Sequence, residues 1–149
     1  EPSPLGTGGA LWNAREMLED QFILLWGDDL HPIDYHALVK RHIESEAPLT
    51  MTVTQNHDSM NLQHEKGRLQ TYSKDSEEPT FNGYEAGTSI VEKSVVLAHG
   101  QDGAWSWEQT VYPSLSGKAA VHLDNTAFWD MGTPERLASL EEFLKKTTL

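Results

Sequence analysis

Cysteine is absent from this chain, which excludes disulfides, thiolate metal sites and a cysteine nucleophile together. Positive charge is scarce as well: 11 lysines and arginines face 23 aspartates and glutamates, giving a formal net charge of −12. Such a chain has little to offer a nucleic-acid backbone or an anionic membrane surface, and neither is expected as a partner. Nucleotide binding stays open, because a divalent cation between carboxylates and phosphates supplies the missing charge. No apolar run approaches the roughly 20 residues needed to cross a bilayer. Nor does a charged segment followed by an apolar one open the chain, so a cytoplasmic location is expected. What remains, 38% apolar and 23% charged residues over 149 positions, is the composition of one soluble globular domain with a real core. The chain starts at Glu1-Pro2-Ser3-Pro4-Leu5 without methionine and enters a glycine-rich segment at once. It is therefore expected to be a piece of a longer protein.

Hydrophobic periodicity organises the rest. Gly6-Thr7-Gly8-Gly9 precedes a helix expected over 10–20, with Leu11, Ala14, Met17 and Leu18 at helical spacing. The apolar run Gln21–Trp26 reads as a buried parallel strand closing on Gly27-Asp28. Pro32 opens a second expected helix reaching Glu46, with Ile33, Leu38, Val39 and Ile43 turned inward. Leu49–Thr54 alternates β-branched residues as a strand does, and Asn61–Gln63 with Arg68–Ser73 reads as a hairpin around Glu65-Lys66-Gly67. A polar loop over Lys74–Gly83, with the acidic run Asp75–Glu78 as a solvated stretch, leads to a strand over Glu85–Val91 and a short helix near Lys93–Ala98. A helix over Ser106–Leu115, strands at Ala119–Leu123 and Ala127–Asp130, and a closing helix over Pro134–Lys146 complete the pattern. Strands alternating with helices in this way imply an α/β fold, a Rossmann-like α/β/α sandwich with a mostly parallel mixed sheet.

The segment Phe128-Trp129-Asp130-Met131-Gly132-Thr133-Pro134-Glu135 concentrates chemistry. An aspartate ends a short apolar run; Gly132 then lets the chain turn, Thr133 can cap, and Pro134 at the first helical position has no N–H to leave unpaired. Phe22–Trp26 followed by Gly27-Asp28-Asp29 ends in the same way. Carboxylates at the carboxyl ends of strands are common presenters of a metal or a phosphate ligand in α/β proteins, although each aspartate is equally explained as an ordinary cap. The histidines form no HExxH pair or tight cluster, and His36 and His42 read as helix-surface residues. No nucleophile-elbow motif supports a serine hydrolase.

Taken in order, several segments resemble the sugar-1-phosphate nucleotidyltransferase family (NDP-sugar pyrophosphorylases), and specifically its C-terminal two-thirds. They are Ser3 to Ala10, the strand end Trp26-Gly27-Asp28-Asp29, Gly67-Arg68-Leu69 followed by Tyr72-Ser73-Lys74, Tyr84-Glu85-Ala86-Gly87, Ser106-Trp107-Glu108 to Val111-Tyr112-Pro113, and Phe128 to Glu135. The family's N-terminal portion, a strand and an arginine-bearing glycine-rich loop that grips the triphosphate, is missing. Tyr72-Ser73-Lys74 is similar to a Tyr-Asp-Lys variant in mannose- and heptose-1-phosphate guanylyltransferase-like relatives, with Ser73 in place of the aspartate.

The resemblance implies transfer of a nucleotidyl group from a nucleoside triphosphate to a hexose or heptose 1-phosphate, with release of pyrophosphate. A displacement between two anions needs positioning and charge neutralisation more than a protein nucleophile. It implies Mg2+ as cofactor, held by Asp28 and Asp130, with Asp29 as the alternative to Asp28, and Lys74 as a cation for the sugar phosphate. Leu5, Gly6, Thr7, Gly8 and Gly9 would lie beside the base, Glu85 and Gly87 beside the sugar, and Trp129 could pack against it. Glu1 would read the base edge; a carboxylate only accepts hydrogen bonds and so suits guanine, although Glu1 is equally read as a frayed terminus. The partners expected are a nucleoside triphosphate and a sugar 1-phosphate, and a homo-oligomer stays compatible with the sequence. With the triphosphate grip missing, this piece alone is expected to be inactive. A catalytically silent domain that binds nucleotide-sugar or regulates a partner is the alternative.

Overall fold

Helix α1 (Gly6–Asn13) and a 3-10 turn (Arg15–Met17) lead into β1 (Gln21–Leu25) in the computed structural model, which describes residues 1, 3–76 and 78–147. Next come β2 (Asp29–Leu30), α2 (Tyr35–Ser45), β3 (Leu49–Thr54) and the hairpin of β4 (Leu62–Glu65) and β5 (Arg68–Tyr72). The long β6 (Tyr84–Glu92), α3 (Lys93–His99), α4 (Trp107–Ser114), β7 (Ala120–Leu123), β8 (Trp129–Asp130) and α5 (Pro134–Thr147) follow. Glu77, part of the expected acidic loop, lies outside the described residues.

Six strands form one sheet in the order β1-β6-β3-β7-β5-β4, and β2 pairs with β8 in a separate ribbon. The neighbours β3 and β7 are parallel, while the other pairs are antiparallel. Followed across the sheet, these pairings run β1, β3, β7 and β4 in one direction and β6 and β5 in the other. The sheet is thus mixed with a majority direction, as the Rossmann-like reading expects. Alternation along β6 separates the two faces. Val91 joins a large core with Val95, Val96, Trp107, Val111 and Tyr112 of α3 and α4, while Ile90 packs with Ile33 and Leu38 on the α2 side. Burying each of these large side chains contributes roughly 1.5–3 kcal/mol.

Three local expectations change. The run Gln21–Trp26 is neither buried nor in a parallel pair: β1 is the last strand of the sheet, antiparallel to β6, with Ile23 and Leu25 exposed. A continuous apolar run cannot by itself tell a central strand from an edge strand with one covered face. Helix α2 begins later than Pro32, because the Asp34 carboxylate caps it by accepting from the amides of His36 (2.9 Å) and Ala37 (3.2 Å). Its inward face is also rotated. Leu38, His42 and Ser45, at i, i+4 and i+7, are buried, whereas Val39 and Ile43 are 40% and 67% exposed beside β1. His42 is therefore a core residue and not a surface one; its Nδ1 lies 2.8 Å from Thr50 Oγ1, and burial lowers its pKa.

The third change concerns the glycines. Gly6 to Gly9 form the first turn of α1 instead of a loop before it. Gly8 and Gly9 are buried, and the amide of Gly8 donates to the Trp105 carbonyl at 3.0 Å. A Cβ on Gly8 would lie 2.1 Å from the Trp105 ring, and one on Gly9 would lie 2.4 Å from the Gly103 carbonyl oxygen. The glycines let the 100–106 loop lie directly on α1. Gly9→Ala should therefore lower the melting temperature, although alanine is the better helix former by about 1 kcal/mol. The backbone at Gly103 cannot rotate aside as a side chain can, so overpacking of about 1–3 kcal/mol should win. A thermal melt showing a rise would mean that the 100–106 loop adapts without cost.

Candidate active site

Six side chains from five segments of the chain meet in one cavity of about 570 Å³: Thr7, Asp28, Asp29, Lys74, Glu85 and Asp130. Thr7 comes from the start of α1, Asp28 from the turn after β1, Lys74 from the bend after β5 and Glu85 from β6. The β2/β8 ribbon pairs Asp29 directly with Asp130 and so sets the two acidic segments side by side. The Met131 amide donates to the Asp28 carbonyl at 2.6 Å, extending that register.

Asp28 and Asp130 converge beside Gly132. A Cβ there would sit 3.0 Å from Asp130 Oδ1 and 3.4 Å from Asp28 Oδ2, so both oxygens border the space beside Gly132 and a side chain there would be tight. Asp130 Oδ1 also accepts from the Gly132 amide at 2.7 Å, and its Oδ2 is paired with the Arg136 guanidinium. Burial, together with the charges of Asp28 and Asp130, pushes the Asp29 carboxyl up to about 7. Asp29 also presses on Gly87, which has φ +71°: a Cβ at Gly87 would lie 2.1 Å from Asp29 Oδ2. Gly87 therefore makes room for the acidic ribbon and is not itself among the residues lining the cavity.

Lys74 is ion-paired within the cavity, although its side chain stays 47% exposed. Its Nζ donates to Glu108 Oε1 at 2.6 Å. The other oxygen of Glu108 accepts from Thr7 Oγ1 (2.5 Å) and Ser106 Oγ (3.1 Å), and Thr7 Oγ1 in turn accepts from the Trp107 amide at 2.9 Å. Burial alone would raise the Glu108 carboxyl, but the hydrogen bonds from Lys74 and Thr7 outweigh it and hold its pKa below the usual carboxylate range. Glu108 thus joins α1, α4 and the Lys74 segment. Nothing local in the sequence distinguishes it from a carboxylate placed in the first turn of a helix to suit the dipole. Arg136, two residues into α5, is equally silent until the fold brings it to Asp130.

Glu85 lies on the floor of the cavity. It is buried, accepts from the Gly87 amide at 3.1 Å and from Trp26 Nε1 at 3.4 Å, and burial pushes its carboxyl up to about 8. The remaining expected site residues stand apart from the lining. Leu5 caps α1 and its carbonyl accepts from the Trp105 amide, Gly6 (φ +68°) and Gly8 lie against Trp105, and Gly9 lies against Gly103. Glu1 is exposed. Trp129 faces α5, with its ring centroid 4.8 Å from that of Phe143, and lines a neighbouring groove.

No family model matches the chain. It is similar to a mannose-1-phosphate guanylyltransferase of Mycobacterium tuberculosis, 28% identical over 144 residues, a match covering 91% of this chain and 40% of that protein. It is also similar to a D-glycero-alpha-D-manno-heptose 1-phosphate guanylyltransferase of Aneurinibacillus thermoaerophilus, 39% identical over 54 residues, covering 36% of this chain and 24% of that one. The chain therefore spans less than half the length of these relatives. Among solved structures it superposes on HddC from Yersinia pseudotuberculosis complexed with GMP-PN, with a TM-score of 0.75 and 24% identity over 96% of this chain and 64% of that one. An inositol-1-phosphate CTP transferase from T. maritima gives a TM-score of 0.75 at 18% identity, over 95% of this chain and 62% of that one. At these identities the superpositions establish the shared fold.

Glu85 generates a pH dependence. Its carboxyl keeps a proton in the fold up to about 8, whereas its ordinary value is 4.5. The folded state binds more protons across that window, so stability falls as pH rises through it; Asp29, raised to about 7, acts in the same sense. Glu85→Gln should flatten the decline in melting temperature from about pH 5 to pH 8, read by calorimetry across a buffer series. An unchanged slope would show that Glu85 ionises freely in the folded protein.

Proposed function

We propose that the chain, similar in sequence and fold to sugar-1-phosphate nucleotidyltransferases, is a member of that family and that its acidic cavity is a site of nucleotidyl transfer. In the proposed reaction an oxygen of a hexose or heptose 1-phosphate attacks the α-phosphorus of a nucleoside triphosphate. The new P–O bond forms as the bond to pyrophosphate breaks, and pyrophosphate departs. The observation that carries this reading is the convergence of Asp28, Asp130, Lys74, Glu85 and Thr7 in one cavity. GTP is the proposed donor, in keeping with the guanylyltransferase names of the sequence relatives.

Asp28 and Asp130 would hold Mg2+. Their oxygens flank one spot beside Gly132, and among the described residues no group of three histidine, aspartate or glutamate side chains is arranged to enclose a metal. A pair of carboxylates suits a hard ion that completes its shell with phosphate oxygens and water. When bound there, the ion would neutralise charge on the phosphates. The chain's own groups do the rest. The Lys74 ammonium, with one N–H on Glu108, has two more donors to offer a phosphate. Glu85, carrying its proton near neutral pH, can donate to one sugar hydroxyl while its second oxygen accepts. Thr7 is fixed by Glu108 and the Trp107 amide at the opposite wall of the cavity. No residue is asked to form a covalent intermediate, since positioning and charge neutralisation suffice for this displacement.

Release of pyrophosphate from GTP, mannose 1-phosphate and Mg2+ by the whole protein is the direct assay. Asp130→Asn keeps the side-chain shape and removes the charge, and it should lower kcat by at least ~10³-fold with the melting temperature little changed. Unaltered turnover at saturating Mg2+ would leave Asp130 as a helix-entry cap and remove it from the mechanism. Absence of turnover in the unsubstituted protein with every nucleoside triphosphate would favour a silent nucleotide-sugar-binding domain instead.

A further inference from the structure

Each oxygen of Asp130 has a partner before any ligand arrives: Oδ1 accepts from the Gly132 amide, and Oδ2 is paired with Arg136. Arg136 is held in turn at the start of α5, where its amide donates to Thr133 Oγ1 at 3.3 Å. Asp28 and Asp29 lie at the same place, Asp28 Oδ2 beside Gly132 and Asp29 paired across the ribbon with Asp130. Among the described residues, Arg136 is the cation that the ion pairs place on these aspartates. Its side chain is 58% exposed, so the pair is within reach of solvent and exchangeable.

We propose that Arg136 is a positioning residue that stands in for the divalent cation at Asp130 and is displaced when the cation binds. This rests on the reading of Asp28 and Asp130 as metal-holding residues. A dication beside Asp130 Oδ1 and a guanidinium on Asp130 Oδ2 share the charge of one carboxylate and repel each other, so binding of one weakens the other. The displaced guanidinium has somewhere to go. Arg136 and Asp130 both line a groove of about 430 Å³ with Ser59, Phe128 and Ser139, and this groove shares Ser59, Phe128 and Asp130 with the cavity. Released from Asp130, the planar guanidinium remains at the cavity mouth with its donors free to take phosphate oxygens in a forked geometry. Entry of the metal would therefore turn Arg136 from a partner of the protein into a partner of the substrate's phosphates.

The experiment is a Mn2+ titration, followed by its electron paramagnetic resonance signal at low ionic strength, on the protein and on Arg136→Met, which keeps the apolar stem. An exposed pair of this kind should reduce metal affinity by about two- to fivefold, so the variant should bind Mn2+ that much more tightly. In parallel, the Arg136 Nε resonance of the unsubstituted protein should shift on adding diamagnetic Mg2+, a response that a distant charge effect would not give; this measurement stands even if the variant fails to fold. Equal Mn2+ affinity with a stationary Arg136 resonance would overturn the inference while leaving the metal reading intact. Absence of Mn2+ binding in both proteins, with no Mg2+ response, would overturn the metal reading and the inference with it.

Discussion

Three carboxylates held side by side against their own repulsion are the constraint around which this molecule is arranged. Asp29 and Asp130 are neighbours because β2 and β8 pair, and Asp28 is brought in by the turn that precedes β2. A two-residue ribbon has little pairing energy of its own, so the arrangement needs support elsewhere. Gly87 and Gly132 leave room for the carboxylates, Arg136 neutralises one of them, and Phe143 packs on Trp129 behind β8. Charge crowding of this sort weakens a fold unless a cation is near, and Arg136 is the one its ion pair places there.

The other half of the cavity is organised by a carboxylate with the opposite task. Glu108 is a depressed, fully partnered anion, where Asp29 and Glu85 are raised ones. Burial raises all three carboxyls, and the contrast follows from whether hydrogen bonds outweigh it, as they do at Glu108. Glu108 receives two hydroxyls and an ammonium, whereas the protein-side donors to Glu85 are one amide and a long indole contact. The cavity therefore has one wall where negative charge is satisfied and Lys74 is fixed. Its other wall holds acidic groups still short of positive charge.

Much of the architecture was legible in the chain. The hairpin of β4 and β5, the strand at β6 and the Thr133-Pro134 entry to α5 lie where alternation, turn chemistry and capping put them. Asp28, Asp130, Lys74, Glu85 and Thr7, selected by resemblance and by ligand chemistry, do meet in one cavity. Apolar identity alone does not set the inward face of α2: His42 is turned in and Ile43 out. Local sequence does not show that Gly8 and Gly9 of α1 serve the close approach of Trp105 and Gly103.

What the sequence by itself determined is what local chemistry dictates. It set the alternation of strands and helices, the caps, the absence of thiol chemistry, and the excess of acid that makes a cation the natural companion of any phosphate bound here. Only the tertiary structure decided which charges touch. Lys74 and Glu108 are 34 positions apart, Thr7 and Glu108 are 101 apart, and Asp29 finds Asp130 across the ribbon. A pKa is set by burial and by neighbours within a few ångströms, so a lysine's carboxylate partner and a glutamate's retained proton come into being only when distant segments pack.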